Sequence, residues 1–202
     1  MYGKSLNTTT ATTILCILLN CFCTGDTLMA VALPEQVIFN FSNASDTQQW
    51  MVINDTVMGG VSKSSLETAE RNALVFTGYV SLENYGGFCS TSSRAAQTYD
   101  LSSYDGIEIR LKGDGKKYKA TLKTEASFSG FVNQYAFTTK KGEWMTIRAP
   151  FKEYIPVFRG QVQKNAPPPD PAEIKSFGFI IADKQEGPFR LEVATIKAYK
   201  NR

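Results

Sequence analysis

Residues 107–123 carry the sequence IEIRLKGDGKKYKATLK, in which apolar and charged side chains alternate on both sides of a glycine-rich turn. Apolar residues fall at every second position of 107–112 and again at every second position of 118–123. This alternation is typical of half-buried β-strands. We therefore predict two strands connected through Gly113-Asp114-Gly115, with the Asp114 side chain accepting hydrogen bonds from turn amides.

Similar runs follow one another along the chain at short intervals. Further strands are predicted at residues 74–76, 79–82, 135–138, 145–149, 177–182 and 189–193. The paired glycines Gly59-Gly60 and Gly86-Gly87 are expected to allow positive backbone dihedrals or bulges in tight turns. Helix signals are scarce, and Asp170-Pro171 predicts one helical turn through Lys175. Many short strands without a βαβ rhythm predict an all-β fold, an antiparallel β-sandwich or jelly roll in a single domain.

The chain of 202 residues contains no histidine, which restricts its function. Catalytic groups of the Ser-His-Asp or Cys-His type are excluded, and the commonest metal ligand is absent. We therefore predict that the protein is not an enzyme and holds no metal or cofactor. The net charge of +3 is too small to predict a nucleic-acid partner, and Lys116, Lys117 and Lys119 are expected to form a solvated turn.

Residues 1–32 have the features of a cleaved secretory leader. An apolar segment at Ile14–Cys23 is followed by Ala30-Val31-Ala32, which has the form of a signal-peptidase site. This segment of ten residues is too short to cross a bilayer, so no integral membrane span is expected. We predict export, either periplasmic or secreted. The alternatives are an uncleaved extension, an atypical mitochondrial presequence and, less favoured, a lipid anchor at Cys21.

Several motifs beyond the strand pattern are distinctive, and the first is Trp50-Met-Val-Ile-Asn-Asp-Thr-Val-Met-Gly-Gly-Val-Ser62. The others, in order, are Asn84-Tyr85-Gly86-Gly87-Phe88, Asp100-Leu101-Ser102, Tyr104-Asp105-Gly106, Lys112-Gly113-Asp114-Gly115, Trp144, Pro150-Phe151, Phe177-Gly178-Phe179 and Asp183-Lys-Gln-Glu-Gly-Pro-Phe189. In this order and spacing they resemble the complex I intermediate-associated protein 30 family over about residues 37–199. The chain departs from the family pattern at Ser92, where the family tends to place an arginine.

The resemblance implies a galactose-binding-like jelly roll, the fold shared with many carbohydrate-binding modules. The best-known relatives are mitochondrial assembly factors for respiratory complex I. From this we expect a non-catalytic binding or assembly-factor module whose partner is a glycan or the subunits of a protein complex. The alternatives are a true mitochondrial complex I assembly chaperone and a carboxylate-dependent hydrolase. The oligomeric state is left open.

A polar cluster is the candidate binding site, with its residues expected to converge at one end of the sandwich. Its members are Asn54, Asp55, Asp183, Lys184 and Gln185. Their side chains are suited to bonding sugar hydroxyls or a partner's backbone, while Trp50 or Tyr85 stacks on an apolar surface. The alternatives are a structural hydrogen-bond network, a calcium site at Asp55 and Asp183, and the use of that pair as a hydrolase acid and base. Core or edge packing is the favoured role of Trp50 and Trp144.

Overall fold

A computed structural model describes residues 35–42, 44–69, 72–125 and 130–201, which form two antiparallel β-sheets packed face to face. The described part of the chain also has one short helix, α1, at Ala44–Gln48, and four 3₁₀ turns at Asp55–Met58, Glu83–Tyr85, Phe151–Glu153 and Pro171–Glu173. The predicted leader at residues 1–32 lies outside the described residues. The all-β prediction is confirmed.

Six strands form the first sheet: β1 (Gln36–Asn40), β3 (Lys63–Ala69), β4 (Ala73–Val80), β6 (Gly106–Lys112), β9 (Trp144–Pro150) and β13 (Gly187–Tyr199). Their order is β3-β4-β13-β6-β9, and β1 pairs with the second half of β13. The long strand β13 lies at the centre of this sheet. Its first half pairs with β4, and β6 runs along its opposite side.

Seven strands form the second sheet: β2 (Trp50–Asn54), β5 (Cys89–Ser93), β7 (Lys117–Lys123), β8 (Val132–Thr138), β10 (Ile155–Phe158), β11 (Gln161–Val162) and β12 (Ser176–Ile181). Their order is β11-β10-β8-β7-β12-β5-β2. The strand β2 therefore lies at one edge, and β5 separates it from β12.

The core lies between the sheets and is rich in aromatic rings. Phe39 of β1 contacts Trp50 of β2 and Phe177 of β12, at centroid distances of 5.4 and 5.9 Å. Trp50 also stacks on Phe179 at 5.9 Å. The two contacts of Phe39 join the sheets, whereas Trp50 and Phe179 belong to the same sheet. Aromatic pairs of this kind contribute roughly 0.5–1.5 kcal/mol beyond their buried area.

The two strands of the 107–123 segment are present, but they lie in different sheets. The loop at residues 113–116 therefore passes from one sheet to the other. Asp114 accepts the Lys116 N–H at 3.1 Å, which confirms the predicted turn bond. The same carboxylate also accepts the Tyr118 hydroxyl at 3.0 Å and the Arg190 N–H at 2.9 Å, so it ties the crossing loop to β13.

Two other local predictions can be compared with the structure. The strands expected at residues 74–76 and 79–82 are one strand, β4, because it continues through Gly78. A Cβ atom at Gly78 would collide with the backbone of Lys63, so glycine allows β3 to lie close beside β4. The helical turn predicted after Asp170 is present as a 3₁₀ turn, and the Asp170 carboxylate accepts the Ala172 N–H at 2.9 Å. It ends at Glu173, two residues before the predicted end at Lys175.

Candidate functional site

Asp55 is a buried carboxylate at the point where β2 ends, and its side chain joins two loops. Only 1% of the surface of Asp55 is exposed to solvent. Within its own loop, Oδ1 accepts the Ser62 N–H at 3.0 Å, and Oδ2 accepts the Ser62 hydroxyl at 2.6 Å. From the second loop, the N–H groups of Gly87 and Phe88 donate to Oδ2 at 2.7 and 3.3 Å. The carboxylate therefore holds residues 55–62 against residues 81–88.

The ionisation of Asp55 follows from these bonds. Burial raises the pKa of the carboxyl, but hydrogen bonds from the Ser62 side chain and from the N–H groups of Gly87, Phe88 and Ser62 together lower it by more than burial raises it. The net effect is a pKa below the usual aspartate value. Asp55 is therefore a carboxylate at neutral pH, and every donor around it faces a negative charge.

The four glycines of the two loops have two different roles. Gly59 and Gly87 have φ values of +90° and +131°, which confirms the predicted positive dihedrals at these positions. Gly60 and Gly86 are required by close contact with Asp55 instead. A Cβ on Gly60 would lie 2.5 Å from Asp55 Oδ1, and a Cβ on Gly86 would lie 2.6 Å from Oδ2. Both glycines therefore make room for the carboxylate.

Ser62 extends the network to Ser81, the residue that follows β4. Its hydroxyl donates to Asp55 and accepts the Ser81 N–H at 2.9 Å, and it is fully buried. Ser81 in turn accepts the Glu83 N–H through its own hydroxyl at 3.2 Å. We call Asp55, Gly60, Ser62, Gly86 and Gly87 the Asp55 clasp. Its members coincide with the Asp-x-x-x-x-Gly-x-Ser and Gly-Gly motifs, so these motifs have a structural role.

The loops held by the clasp and the adjoining end of β4 expose a set of apolar side chains. Its members, which we call the loop face, are Val57, Met58, Val61, Tyr79, Leu82 and Tyr85. Tyr85 is fully exposed. Asn84 and Tyr85 have left-handed backbones with φ values of 53° and 59°, a conformation that is uncommon and costly outside glycine. The structure therefore retains a strained backbone at the position that presents Tyr85 to solvent.

The two tryptophans and Asn54 are partly or wholly enclosed. Trp50 is 5% exposed and packs in the core, which is its favoured role from the sequence. Trp144 lies on the edge strand β9, with Arg110 and Lys112 over its ring at 5.6 and 5.3 Å. The Asn54 side chain is half-buried and accepts the Ser64 hydroxyl at 2.5 Å. This bond connects the edge strands of the two sheets.

Asp183, Lys184 and Gln185 form a separate turn that is anchored on β7. Asp183 makes an ion pair with Lys119 at 2.7 Å. The Gln185 side chain accepts the Lys117 N–H at 2.9 Å and donates to the Lys117 carbonyl at 2.8 Å. The Lys116 ammonium donates to the Gln185 carbonyl at 3.4 Å. Of the three lysines predicted to form a solvated turn, Lys116 lies in the turn, but Lys117 and Lys119 lie on β7. The prediction is therefore wrong for those two residues, because the strand begins at Lys117.

These bonds divide the predicted polar cluster into two groups. In the second sheet, Asn54 is paired with Cys89, and Cys89 is paired with Ile181, two residues before Asp183. Both groups therefore lie at the same end of the sheet. Two strand spacings separate β2 from β12, which is about 10 Å. Asp55 is hydrogen-bonded to residues 62 and 87–88, whereas Asp183 and Gln185 are bonded to residues of β7.

Among the surface depressions that the described residues form, two have volumes of a few hundred cubic ångströms. The first, about 370 Å³, crosses the second sheet and is lined by Lys119, Gln134, Tyr135, Ala136, Glu153, Ile155, Val157 and Val162. The second, about 340 Å³, adjoins the loop face and is lined by Val61, Lys63, Tyr79, Ser81 and Glu83. The sequence did not identify either depression, because each combines side chains from separate strands.

Two further properties concern only the part of the chain that the structure describes. No three His, Cys, Asp or Glu side chains there are grouped closely enough to hold a metal ion. No helix there is long and apolar enough to cross a membrane.

Solved structures with the same fold define the class of protein. The family 11 carbohydrate-binding module of the cellulosomal cellulase Lic26A-Cel5E of Clostridium thermocellum superposes with a TM-score of 0.64, at 17% identity over 84% of this chain and 96% of that module. The family 11 module from Clostridium thermocellum in complex with a β-1,3-1,4-mixed-linked tetrasaccharide gives a TM-score of 0.59, at 16% identity over 82% and 95% of the two chains. The chain is thus a β-sandwich with the fold of these modules.

Sequence comparison identifies the family. The family model for complex I intermediate-associated protein 30 matches residues 39–193, so the chain belongs to the complex I intermediate-associated protein 30 family. One relative is the mouse (Mus musculus) protein called complex I intermediate-associated protein 30, mitochondrial, which is 27% identical over 87% of this chain. The chain spans 60% of the length of that relative.

Proposed function

We propose that the protein is a non-catalytic binding or assembly module that recognises a partner protein through the loop face. The observation that carries the proposal is the combination of a fully exposed Tyr85 with the buried Asp55 beneath its loop. Soluble proteins seldom expose neighbouring apolar side chains, and where they do the surface is often an interaction site. The loop face has six such side chains, five on the two loops that the Asp55 clasp joins and the sixth, Tyr79, on β4.

The clasp prepares these loops for binding. Ordering a loop on association costs free energy, and a loop that is already ordered avoids that cost. Asp55 holds the loop before Ser62 and the loop that contains Tyr85 in one arrangement. Tyrosine and methionine are enriched in protein interfaces, so Tyr85 and Met58 are the expected anchors.

The composition of the loop face favours a protein over a sugar as its partner. Sugar recognition needs several polar groups to bond ring hydroxyls, and the loop face is built from apolar side chains. The adjoining depression adds one cation, Lys63, and one anion, Glu83, so charge does not dominate the surface. An apolar segment of a partner protein fits this chemistry.

The carboxylates of the proposed hydrolase alternative are both engaged in structural bonds. Asp55 is buried and its two oxygens accept four hydrogen bonds. Asp183 is exposed and forms its ion pair with Lys119. A general acid or base must reach the substrate. The burial of Asp55 therefore supports a binding protein over a hydrolase.

The name of the mouse relative suggests a role for the whole protein, the assembly of respiratory complex I in mitochondria. We extend the proposal to an assembly role, in which the loop face holds a subunit of a larger complex. For the location we propose export, on the basis of the leader-like residues 1–32, with a mitochondrial address as the alternative. Fractionation of the native cells, together with determination of the amino terminus of the protein, decides between them.

The experiment compares tagged full-length chains in the native cells. The loop-face variant carries Met58→Ala and Tyr85→Ala, and the control carries Val37→Ala, an exposed apolar residue on β1. Partners are captured and quantified for each chain. We expect the loop-face variant to retain roughly a tenth or less of the partner protein, since removal of an interface anchor costs about 2 kcal/mol or more. The control is expected to capture the partner as the wild type does.

Two results would contradict the proposal. Equal capture by the loop-face variant and the control would exclude the loop face as the binding surface. Turnover of glycosides by the purified wild-type chain, abolished by Asp183→Asn, would establish a hydrolase instead. Thermal unfolding of each variant serves as the check that the fold is intact.

A further inference from the structure

The larger of the two depressions, which we call the groove, lies on the outward side of the seven-stranded sheet. Ala120 of β7 lies in the core and is paired with Tyr135 of β8. The neighbours of Tyr135 along β8, Gln134 and Ala136, therefore face outward. Ile155 of β10 is opposite Gln134 and continues this surface. The groove shares no residue with the loop face, and the inference below does not rest on the proposed function.

A row of side chains follows β10 along one side of the groove. Tyr154 is buried and has an extended backbone, so its neighbours Glu153 and Ile155 both lie away from the core, and both line the groove. Val157 comes two residues after Ile155 and is opposite Val162 of β11. Alternate residues of an extended chain are about 6.6 Å apart. The groove therefore presents an acid, an isoleucine and a pair of valines in order, over about 13 Å.

The apolar part of this row is open to solvent. Ile155 and Val162 are 51% and 55% exposed. Neighbouring apolar side chains that a soluble protein leaves exposed often mark an interaction site. The volume of the groove, about 370 Å³, lies within the range of roughly 300–1,000 Å³ that is typical of ligand sites. The groove thus has the apolar walls and the size of a binding site.

Glu153 carries the charge of the groove that the fold leaves uncompensated. The charged residues that line the groove are Lys119 and Glu153. Lys119 makes its ion pair with Asp183 at 2.7 Å, so its charge is neutralised within the fold. Glu153 forms no ion pair with any lysine or arginine that the structure describes. A cation is therefore the ligand charge that complements the groove.

We propose that the groove binds an extended segment of a partner protein, in which a lysine or arginine alternates with two aliphatic residues. Every second side chain of an extended peptide lies on the same side, about 6.6 Å apart, which is the spacing of Glu153, Ile155 and Val157. The base of the segment pairs with Glu153, and its aliphatic side chains cover Ile155 and the valine pair. The Gln134 carboxamide also lines the groove, and such a group both donates to and accepts from a peptide backbone.

The test measures the binding of rhodamine-labelled peptides to the purified full chain by fluorescence anisotropy. The probe contains Lys-Thr-Val-Thr-Val between glycines, and a second probe with the reverse sequence covers the opposite direction of the bound chain. In the first control peptide, glutamine replaces the lysine, so the charge is lost and the alternation is kept. In the second, Thr-Lys-Val-Val-Thr, the composition is kept and the alternation is lost.

The groove variants are Glu153→Gln, Glu153→Lys and Ile155→Thr. Each type of side chain has a matched control on the six-stranded sheet. Glu67→Gln removes an exposed acid of β3 that likewise forms no ion pair with the described residues. Val37→Thr replaces an apolar residue of β1 that is 54% exposed, close to the value for Ile155. Thermal unfolding of each variant checks that its fold is intact.

We expect the wild type to bind one of the two probes roughly threefold to fivefold more tightly than the glutamine peptide, the effect of one exposed ion pair. Glu153→Gln should remove this preference. Glu153→Lys should reverse it, in favour of a peptide with glutamate in place of the lysine. Ile155→Thr should weaken binding of the probe about tenfold, because less apolar area is buried. Both control variants should bind within about twofold of the wild type.

The proposal is overturned if neither probe binds, if the peptide without alternation binds as tightly as the probe, or if Glu153→Lys keeps the wild-type preference. Hexylamine that competes with the probe at equal affinity would overturn the peptide as the ligand and replace it with a small amine. The chain with Met58→Ala and Tyr85→Ala should bind the probe as the wild type does, and a loss there would move the site to the loop face. The comparison between peptides needs only the wild-type chain, so it stands even if a groove substitution disturbs the fold.

Discussion

Replacement of Asp55 by asparagine tests the clasp, because the shape of the side chain is kept while its charge and one acceptor are lost. In the wild type, Oδ2 accepts three donors, from Ser62, Gly87 and Phe88. Oδ1 accepts the Ser62 N–H. In the better orientation of the amide, its oxygen keeps the three donors and its NH₂ group faces the Ser62 N–H. That N–H then has no acceptor.

The loss of stability expected for Asp55→Asn follows from these four bonds. An unsatisfied buried donor costs about 1–3 kcal/mol. Each of the other three bonds changes from charge-assisted to neutral, which lowers its contribution by about 1 kcal/mol. The lower desolvation cost of the neutral amide offsets part of this loss, so we expect Asp55→Asn to reduce the free energy of unfolding by about 3–5 kcal/mol. For a domain of this size the melting temperature falls by about 6–20 °C.

Urea unfolding followed by tryptophan fluorescence measures the effect, since Trp50 is buried in the core beside β2. Asp183→Asn is the matched control, and the loss of its exposed ion pair should cost no more than about 1 kcal/mol. Ser62→Ala combined with Asp55→Asn completes a double-mutant cycle, in which the two losses are expected to be less than additive. The reasoning is refuted if Asp55→Asn costs less than about 1 kcal/mol or no more than the control.

The remaining predictions concern pH, a glycine of the clasp and the buried thiol. Folding lowers the pKa of Asp55, so its contribution to the free energy of unfolding is fully present above the unfolded pKa of about 3.9 and is lost as the pH falls through the folded pKa. The difference in stability between the wild type and Asp55→Asn should therefore narrow on acidification. Urea titrations between about pH 6 and pH 3 would measure this. Gly60→Ala pushes a Cβ against Asp55 and should lower the free energy of unfolding, measured in urea, by more than about 2 kcal/mol. In the control Gly142→Ala, a Cβ meets no atom within 4 Å, so only the strain of its positive φ should be lost, about 1 kcal/mol. Similar losses of stability in the two variants would contradict the assigned role of Gly60. Burial raises the pKa of the Cys89 thiol to about 12, so a thiol reagent at pH 8 should label it only as fast as the protein unfolds. In a chain that carries Cys16→Ser, Cys21→Ser and Cys23→Ser, rapid labelling of the native protein would show that the Cys89 thiol is accessible.

Strands with strict alternation were predictable because that pattern depends on neighbours along the chain, whereas β1, β2, β3, β5, β10 and β11 were not predicted. Alternation within residues 107–112 and 118–123 locates β6 and β7 to within a residue. The Asp114 bond to Lys116 was equally local, with a separation of two residues. Its bond to Arg190 spans 76 residues, and no pattern in a short window contains such a pair.

In the candidate site too, the sequence did not reveal contacts between residues that are far apart along the chain. The sequence identified Asp55, Tyr85 and Asp183 as residues of interest, and the paired glycines marked the two turns that the clasp joins. It did not separate a buried carboxylate from an exposed one, because both follow a strand and precede a turn. Burial of Asp55 depends on Gly87 and Phe88, 32 and 33 residues further along, whose N–H groups compensate the charge.

Residue order alone therefore determines the class of fold, because side chains that alternate along an extended backbone must place one face in the core. Tertiary structure decides which strands become neighbours, and this placed β5 between β2 and β12. The predicted polar cluster is divided for that reason, with Asp55 in the clasp and Asp183 bonded to β7.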